Sequence, residues 1–216
     1  MASPFAGVSV CATGVNSSEE NWIRSRTEAL GGTFHDNLVN NTTFLLVKRV
    51  GTSKYSAARK LKIPTLVLQW LKDCSVSKAK VDHESYRTLP FEGLTVCFSH
   101  IEIEERYRLQ RLFESNGGTS TRDLVHNEVS HLVLETSEGE KYKAARMWGN
   151  VSIITKDWVH ACVDAKKWVP EIPYVLNESS KMINNMQKQQ TQESKAEKEA
   201  AKAADEAALK AGTFEF

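Results

Sequence analysis

The chain has 216 residues, of which 41% are hydrophobic and 25% are charged, and its formal net charge is only +1. This composition supplies apolar material for one large or two small buried cores. The chain lacks both a run of about eighteen apolar residues and a secretory signal pattern, so we expect an intracellular protein with no membrane partner. Because the net charge is so small, any anion binding must be local.

Sequence motifs for catalysis are missing. The four cysteines lack the paired spacings that hold zinc or exchange disulfides, so we expect reduced, mostly buried thiols. There is no G-x-G-x-x-G, no Walker loop, no cluster of metal ligands and no convincing pair of nucleophile and base. We therefore expect no enzyme activity, no metal and no cofactor.

The first predicted elements are a short apolar strand, GVSVCAT (7–13), and a helix that ends at a Gly-Gly pair. Ser17 followed by Glu20 is a capping-box pattern that opens this helix. Next come two strand signals, a helix that begins near Lys54, another short strand and a last helix that contains a tryptophan. Strands that alternate with helices predict a parallel sheet covered on both faces.

The same order of elements recurs further along the chain. A shift of 86 residues lays FAGVSVCATG (5–14) on FEGLTVCFSH (91–100), and a shift of 87 lays Lys54 on Lys141. So long a period indicates two whole α/β domains instead of a solenoid of short repeats. Residues predicted to be buried in these elements are Trp70, Leu109, Leu112, Phe113, His131 and Trp158.

Composition suggests four segments. We expect a first domain at 3–75, a polar linker at 76–90, a second domain at 91–176 and a tail at 177–216. The tail is rich in Ala, Lys, Glu and Gln and has no apolar stripe, which is typical of a solvated helix or of disorder.

Three polar positions recur where a buried core has no need of them. Each copy has a hydroxyl after its first strand, a backbone N–H in the next residue and a lysine at the start of its second helix; these are Thr13, Gly14 and Lys54, then Ser99, His100 and Lys141. In a parallel α/β unit they converge on one sheet edge. A phosphate accepts hydrogen bonds from all three groups and is favoured at a helix N-terminus. Two or three such bonds distinguish a phosphorylated from a plain side chain by roughly a thousandfold.

Two simpler interpretations compete with a phosphate site. Thr13 and Ser99 would also serve as caps of the helices that follow them, and both lysines would also be ordinary solvated residues. Recurrence of the pairing at matched offsets favours the phosphate interpretation.

Several of these segments together resemble tandem BRCT domains. They are the strand ending in Thr or Ser, the Gly-Gly turn, the VSHLV strand, the EKYKAA helix start and the DWV tryptophan. Over about residues 3–176 the chain is similar above all to the N-terminal pair of the topoisomerase II-binding scaffold proteins. That resemblance implies two small parallel sheets flanked by helices, each domain holding its own phosphate. It also implies a nuclear scaffold whose partners are phosphorylated proteins of the DNA damage or replication machinery.

The chain departs from the family pattern at two positions. The family usually has an arginine seven residues after the hydroxyl, and the second copy has Arg106 there, whereas the first has Glu20. Arg24, one turn further along, is the candidate replacement, although Glu20 also suits the capping box. His100 stands where the family has a small residue.

An alternative function is carried by the basic stretch 48–62. It would bind DNA phosphates weakly and without regard to sequence or to protein phosphorylation, with an affinity that falls steeply as salt rises.

Overall fold

A computed structural model describes residues 3–176, so the predicted tail lies outside the described residues. The elements of the first domain are β1 (Ser9–Thr13), α1 (Ser17–Ala29), β2 (Thr33–His35), β3 (Phe44–Val47), α2 (Ser53–Lys60), β4 (Thr65–Val67) and α3 (Gln69–Ser77). Those of the second are β5 (Thr95–Phe98), α4 (Ile103–Ser115), β6 (Thr119–Thr121), β7 (His131–Val133), α5 (Glu140–Trp148), β8 (Ser152–Ile154) and α6 (Asp157–Asp164).

Each domain contains a four-stranded parallel sheet. The strand orders are β2-β1-β3-β4 and β6-β5-β7-β8, so the two sheets have the same topology. All five residues of β1 are buried, because β1 pairs with a neighbour on each side and carries helices on both faces. The predicted α/β fold of two repeated domains is confirmed.

The cap of helix α1 differs from the prediction by one residue. Asn16 has an extended backbone, its side chain accepts a hydrogen bond from the Glu19 N–H at 2.9 Å, and the Glu19 carboxylate accepts one from the Asn16 N–H at 2.9 Å. The capping box predicted at Ser17 and Glu20 is therefore wrong, because Ser17 already belongs to the helix. Glu20 instead lies 3.9 Å from Arg24, one helical turn away.

Alternate residues of the first sheet face two different cores. Val10 and Leu46 pack with α1 and α3 around the fully buried Trp70, whereas Cys11 and Leu45 face α2. The α2 side belongs to one cluster with the core of the second domain, which includes Leu109, Phe113 and Trp158. As predicted, both tryptophans lie in the core and all four cysteines are free and buried, whereas Leu112 is only partly buried.

Close contacts join the two domains. At Gly93 the φ angle is +70°, and a Cβ built there would lie 2.0 Å from the Lys48 carbonyl oxygen, so no larger residue fits without a shift of the backbone. Trp168 packs edge-on against Tyr55, with ring centroids 6.3 Å apart, and its indole covers Gly51.

After its last helix, each domain continues into a segment that packs back on the sheet edge. We call these the first strap (78–88) and the second strap (166–175). Single antiparallel bridges, Leu66 to Arg87 and Ile154 to Val175, attach them. The indole N–H of the core tryptophan donates to a strap carbonyl at 3.0 Å in both domains. The predicted linker thus packs along the first domain over much of its length.

A buried histidine holds the second strap. His131 is only 4% exposed, and its ring stacks on Trp158 with centroids 4.9 Å apart. Its Nδ1 lies 2.8 Å from Ser130 Oγ and its Nε2 lies 3.0 Å from Glu171 Oε1. The predicted buried, hydrogen-bonded histidine is confirmed.

Candidate phosphate-binding sites

The first candidate site begins at the carboxyl end of β1. The buried Thr13 hydroxyl lies 2.8 Å from the hydroxyl of Thr52. Thr52 is the N-cap of α2, since its Oγ1 accepts a hydrogen bond from the Tyr55 N–H at 3.1 Å. The Thr13 side chain is thereby directed to the N-terminus of α2. Sequence reasoning missed Thr52, although its position two residues before the recurrent lysine was a usable signal.

Lys54 reaches the same edge of the sheet. Its ammonium donates to the Ala12 carbonyl at 3.3 Å and also to the Asp36 carbonyl. Both acceptors are neutral backbone groups, and no carboxylate within residues 3–176 forms an ion pair with Lys54. Thr13 and Lys54, which are far apart in sequence, thus lie at one sheet edge as the parallel topology requires.

Gly14 connects β1 to the helix in a backbone conformation that favours glycine. Its φ is +73°, and a Cβ built there would lie 2.8 Å from the Arg49 backbone nitrogen. The Gly14 N–H has no acceptor among the described residues, so it is available to a ligand at this edge.

The second candidate site repeats the lysine geometry with a sulfur acceptor. Lys141 donates to Cys97 Sγ at 3.3 Å and to the Arg122 carbonyl. Burial raises the pKa of the Cys97 thiol, and the nearby Lys141 charge opposes this effect without reversing it. The thiol therefore stays neutral, and the Lys141 charge is not cancelled by a thiolate.

His100 adopts the left-handed backbone of its counterpart Gly14, with φ +51°. Its Nδ1 lies 3.0 Å from Ser99 Oγ, and its ring packs on Gly139, where a built Cβ would lie 2.4 Å from His100 Cε1. Gly139 stands two residues before Lys141, as Thr52 stands before Lys54. The imidazole thus packs against Gly139, the residue that stands in the second site where the first site has Thr52. The backbone N–H of His100 has no acceptor within the described part of the chain.

Charges at the rims differ between the two sites. Arg24 forms an ion pair with Asp36 and lies 4.6 Å from the Phe34 ring centroid, so it is already engaged. Arg122 occupies the position equivalent to Asp36, and Arg106 has no ion-pair partner among residues 3–176. The second rim is therefore the more positive one. Asp36 and Arg122 could not be predicted as site residues, because their role comes from backbone carbonyls that accept hydrogen bonds from Lys54 and Lys141. Nothing in the sequence of these loops indicates such bonds.

The alternative that Thr13 and Ser99 cap the following helices is wrong. Asn16 caps α1, and Glu102 caps α4 by accepting from the N–H groups of Glu104 and Glu105 at 2.9 and 3.0 Å. Both hydroxyls remain outside the caps.

The basic stretch 48–62 is divided by the fold. Lys48 forms an ion pair with Glu19, and Lys54 belongs to the first candidate site. Arg59, Lys60 and Lys62 remain exposed at and after the end of α2.

Comparisons with known families agree with this architecture. Residues 2–75 match the BRCA1 C Terminus (BRCT) domain family, and residues 94–158 match the twin BRCT domain family. The chain belongs to the BRCT family. Its two repeated sheets are therefore two BRCT domains in tandem. Within residues 3–176 no helix has the length and apolarity needed to cross a bilayer, and no group of three or more metal-ligating side chains is present.

Relatives of the tandem BRCT chain include a checkpoint control protein. The S-M checkpoint control protein Rad4 of Schizosaccharomyces pombe is 25% identical over 166 residues, which cover 72% of this chain and 25% of Rad4. A BRCT domain-containing protein of Arabidopsis thaliana is 26% identical over 185 residues, 80% of this chain and 14% of that protein. The chain thus spans about a quarter or less of these relatives.

The fold also matches a solved BRCT pair. Rad4 BRCT1,2 superposes with a TM-score of 0.64 and 23% identity, covering 81% of this chain and 100% of the solved chain. The match extends through both domains, so the fold of each is shared.

Proposed function

We propose that the two BRCT domains form a non-enzymatic nuclear scaffold that binds phosphoserine or phosphothreonine segments of DNA damage or replication proteins. One observation carries the proposal. In both domains a half-buried lysine at a helix N-terminus is held by neutral acceptors, and no carboxylate within residues 3–176 forms an ion pair with either Lys54 or Lys141.

Such a placement is unfavourable without an anion. The positive end of a helix dipole repels a cation, and the first turn of α2 contains no acidic residue to offset this. The first turn of α5 contains Glu140, which is exposed and pairs with Lys143. A phosphate group with a charge of about −1.5 to −2 would neutralise the lysine and accept hydrogen bonds from the hydroxyl and the free N–H beside it. A neutral serine or threonine hydroxyl would accept fewer and weaker hydrogen bonds and would leave the lysine charge uncompensated.

Solved relatives support this assignment. Rad4 BRCT1,2 has been crystallised with a Crb2 phosphopeptide and with a Mdb1 phosphopeptide. Rad4 is a checkpoint control protein, which favours a checkpoint or replication role and a nuclear location for this chain.

We further propose that the second site binds phosphate more tightly than the first. The first rim carries Asp36 and Glu20 beside Arg24, whereas the second carries Arg106 and Arg122 beside Asp123. Like charges near a bound phosphate weaken its binding, and opposite charges strengthen it.

Binding to a degenerate phosphothreonine peptide library would test the function. Peptides that the wild type retains are resynthesised with and without the phosphate, and their affinities are measured by fluorescence anisotropy. We expect at least about a hundredfold preference for the phosphorylated form, since two charge-assisted hydrogen bonds are lost with the phosphate. Equal affinities would contradict the proposal.

Charge reversal identifies the working site. We expect Lys141→Glu to reduce phosphopeptide affinity more than Lys54→Glu does. Lys143→Glu is the matched control, because Lys143 lies on the same helix but is exposed and pairs with Glu140 at 2.9 Å. A loss of binding in the control equal to that in Lys141→Glu would show that general charge, and not the site, is responsible.

A further inference from the structure

A groove of about 380 Å³ lies between α2 and the second strap, and its lining includes none of the residues assigned to either phosphate site. Its residues come from both domains. The α2 wall consists of Tyr55, Ser56, Arg59 and Lys60, and the strap wall consists of Lys167, Trp168, Val169 and Pro170.

The charged residues that line this groove are all positive. Three of the residues that line it are cationic, and none is acidic. Arg59, Lys60 and Lys167 form no ion pair with any residue between 3 and 176. Cations in the last turn of α2 are favoured by its dipole, but that dipole does not account for Lys167, which comes from the other domain. Three cations around one groove repel one another, and an anionic ligand would relieve that repulsion.

The apolar part of the groove is held in place. The Val169 N–H donates to Cys162 Sγ at 3.4 Å, its carbonyl accepts from the Trp158 indole at 3.0 Å, and Trp168 is seated against Tyr55. A wall fixed by these bonds needs little ordering when a ligand binds, which favours affinity.

The internal repeat shows that this wall is not a general feature of the fold. The first strap has Ala79 and Lys80 at the positions where the second strap has Lys167 and Trp168. The combination of Lys167 with the indole of Trp168 thus occurs in the second strap, which faces α2, and not in the first.

We propose that this groove is a third binding site, one that takes an acidic protein segment with an apolar residue at its centre. The apolar side chain would pack against Trp168, Val169 and Pro170, and flanking carboxylates would pair with Arg59, Lys60 and Lys167. This recognition needs no phosphorylation and leaves both phosphate sites free.

A peptide suits the groove better than DNA does. The volume is that of a pocket for a few side chains, and half of its wall is apolar or aromatic. Contacts to a duplex backbone are made by polar and charged groups to phosphates, and they gain nothing from an apolar floor.

The test uses the full chain and a fluorescein-labelled peptide of glutamates around a central leucine. Two further probes are the same peptide with glutamines and a DNA duplex, all measured by anisotropy at low and physiological salt. We expect the glutamate peptide to bind, and Arg59→Glu and Lys167→Glu each to weaken it by about tenfold, the loss of one charge-assisted contact. Arg59→Gln and Lys167→Gln remove the positive charge without introducing a negative one. Each is also expected to weaken binding of the glutamate peptide, by a factor of the same order.

Phosphate-site variants make the assignment specific. Lys54→Glu and Lys141→Glu are expected to leave the glutamate peptide unaffected, and the groove variants are expected to leave phosphopeptide binding unaffected. The proposal is overturned if the glutamate peptide does not bind or binds the groove variants as well as the wild type. Tighter binding of the duplex, lost in the groove variants, would also overturn it in favour of a DNA surface.

Discussion

At Gly14 two separate constraints act on one residue. The φ of +73° disfavours any side chain, and a Cβ would also meet the Arg49 backbone nitrogen at 2.8 Å. Gly149 offers a matched comparison, because its φ is +70° but nothing lies within 4 Å of a built Cβ. The difference between the stability losses caused by alanine at these two positions therefore measures the effect of the steric contact at Gly14.

We therefore expect Gly149→Ala to reduce the free energy of unfolding by about 1–2 kcal/mol, the cost of a left-handed residue with a side chain. Gly14→Ala should cost at least about 1 kcal/mol more, because the backbone must shift. Urea denaturation of both variants measures the difference. Equal losses would mean that the loop containing Arg49 moves aside freely.

His100 shows how much of a site can be predicted from a single residue type. The equivalence to Gly14 was visible in the sequence, and the structure gives both residues a left-handed backbone. The packing of its ring on Gly139 was not predictable, because that contact depends on a loop whose path the sequence does not encode by periodicity. For the same reason the roles of Asp36 and Arg122 emerge only from their carbonyl bonds to the lysines.

Among the elements, helix α1 tests the capping rules directly. We expect Asn16→Ala to lower the free energy of unfolding by about 1 kcal/mol, because the N–H of Glu19 loses its acceptor. Ser17→Ala should change it by less than about 0.5 kcal/mol, since Ser17 lies inside the helix. Thermal unfolding followed by circular dichroism compares the two. A larger effect at Ser17 would restore the capping box predicted from the sequence.

The second strap depends on an ionised carboxylate. Burial alone raises the pKa of Glu171, but the hydrogen bonds and charge of His131 and the hydroxyl of Ser152 outweigh burial and bring this pKa below its usual value of 4.5. A carboxyl whose pKa is lower in the folded state stabilises that state above the pKa of the unfolded chain. This stabilisation is lost as pH falls through the folded-state pKa.

We thus expect Glu171→Gln to lower the free energy of unfolding by about 1–3 kcal/mol at neutral pH, because His131 and Ser152 lose a charged acceptor. The difference in the free energy of unfolding between the variant and the wild type should become smaller below pH 4.5. In that range the wild type also begins to lose the stabilisation by the ionised Glu171 carboxylate. Denaturation curves across this range provide the measurement. Glu140→Gln is the control, since Glu140 is exposed, and a similar narrowing there would contradict the assignment.

For the whole molecule, strand and helix periodicity was sufficient to predict two repeated α/β domains. Periodicity repeats within each domain, whereas the contact between the domains involves Trp168, a side chain that occurs in one copy alone. Tyr55 packs against Trp168, and the equivalent of Trp168 in the first strap is Lys80. A comparison of the two copies therefore predicts the structure that they share. It does not predict the interface between the domains, because Trp168 has no equivalent tryptophan in the first copy.

A shared core should make the two domains unfold together. Val50 and Tyr55 of the first domain lie in one cluster with Phe91 and Phe113 of the second, and Trp168 closes its edge. We expect a single calorimetric transition in the wild type and two transitions in Trp168→Ala, because removing the indole leaves a cavity between the domains. Trp148→Ala is the matched control.

Trp148 is also partly buried, but it contacts His126 within the second domain, with ring centroids 4.8 Å apart. Its removal should lower the transition temperature and leave one transition, since the contact between the domains is intact. If Trp168→Ala still unfolds in one step, the indole is not needed for the coupling, and the rest of the shared core together with the backbone contact at Gly93 suffices. Adding Gly93→Ala would then weaken the coupling further, because its Cβ would displace the Lys48 carbonyl across the interface.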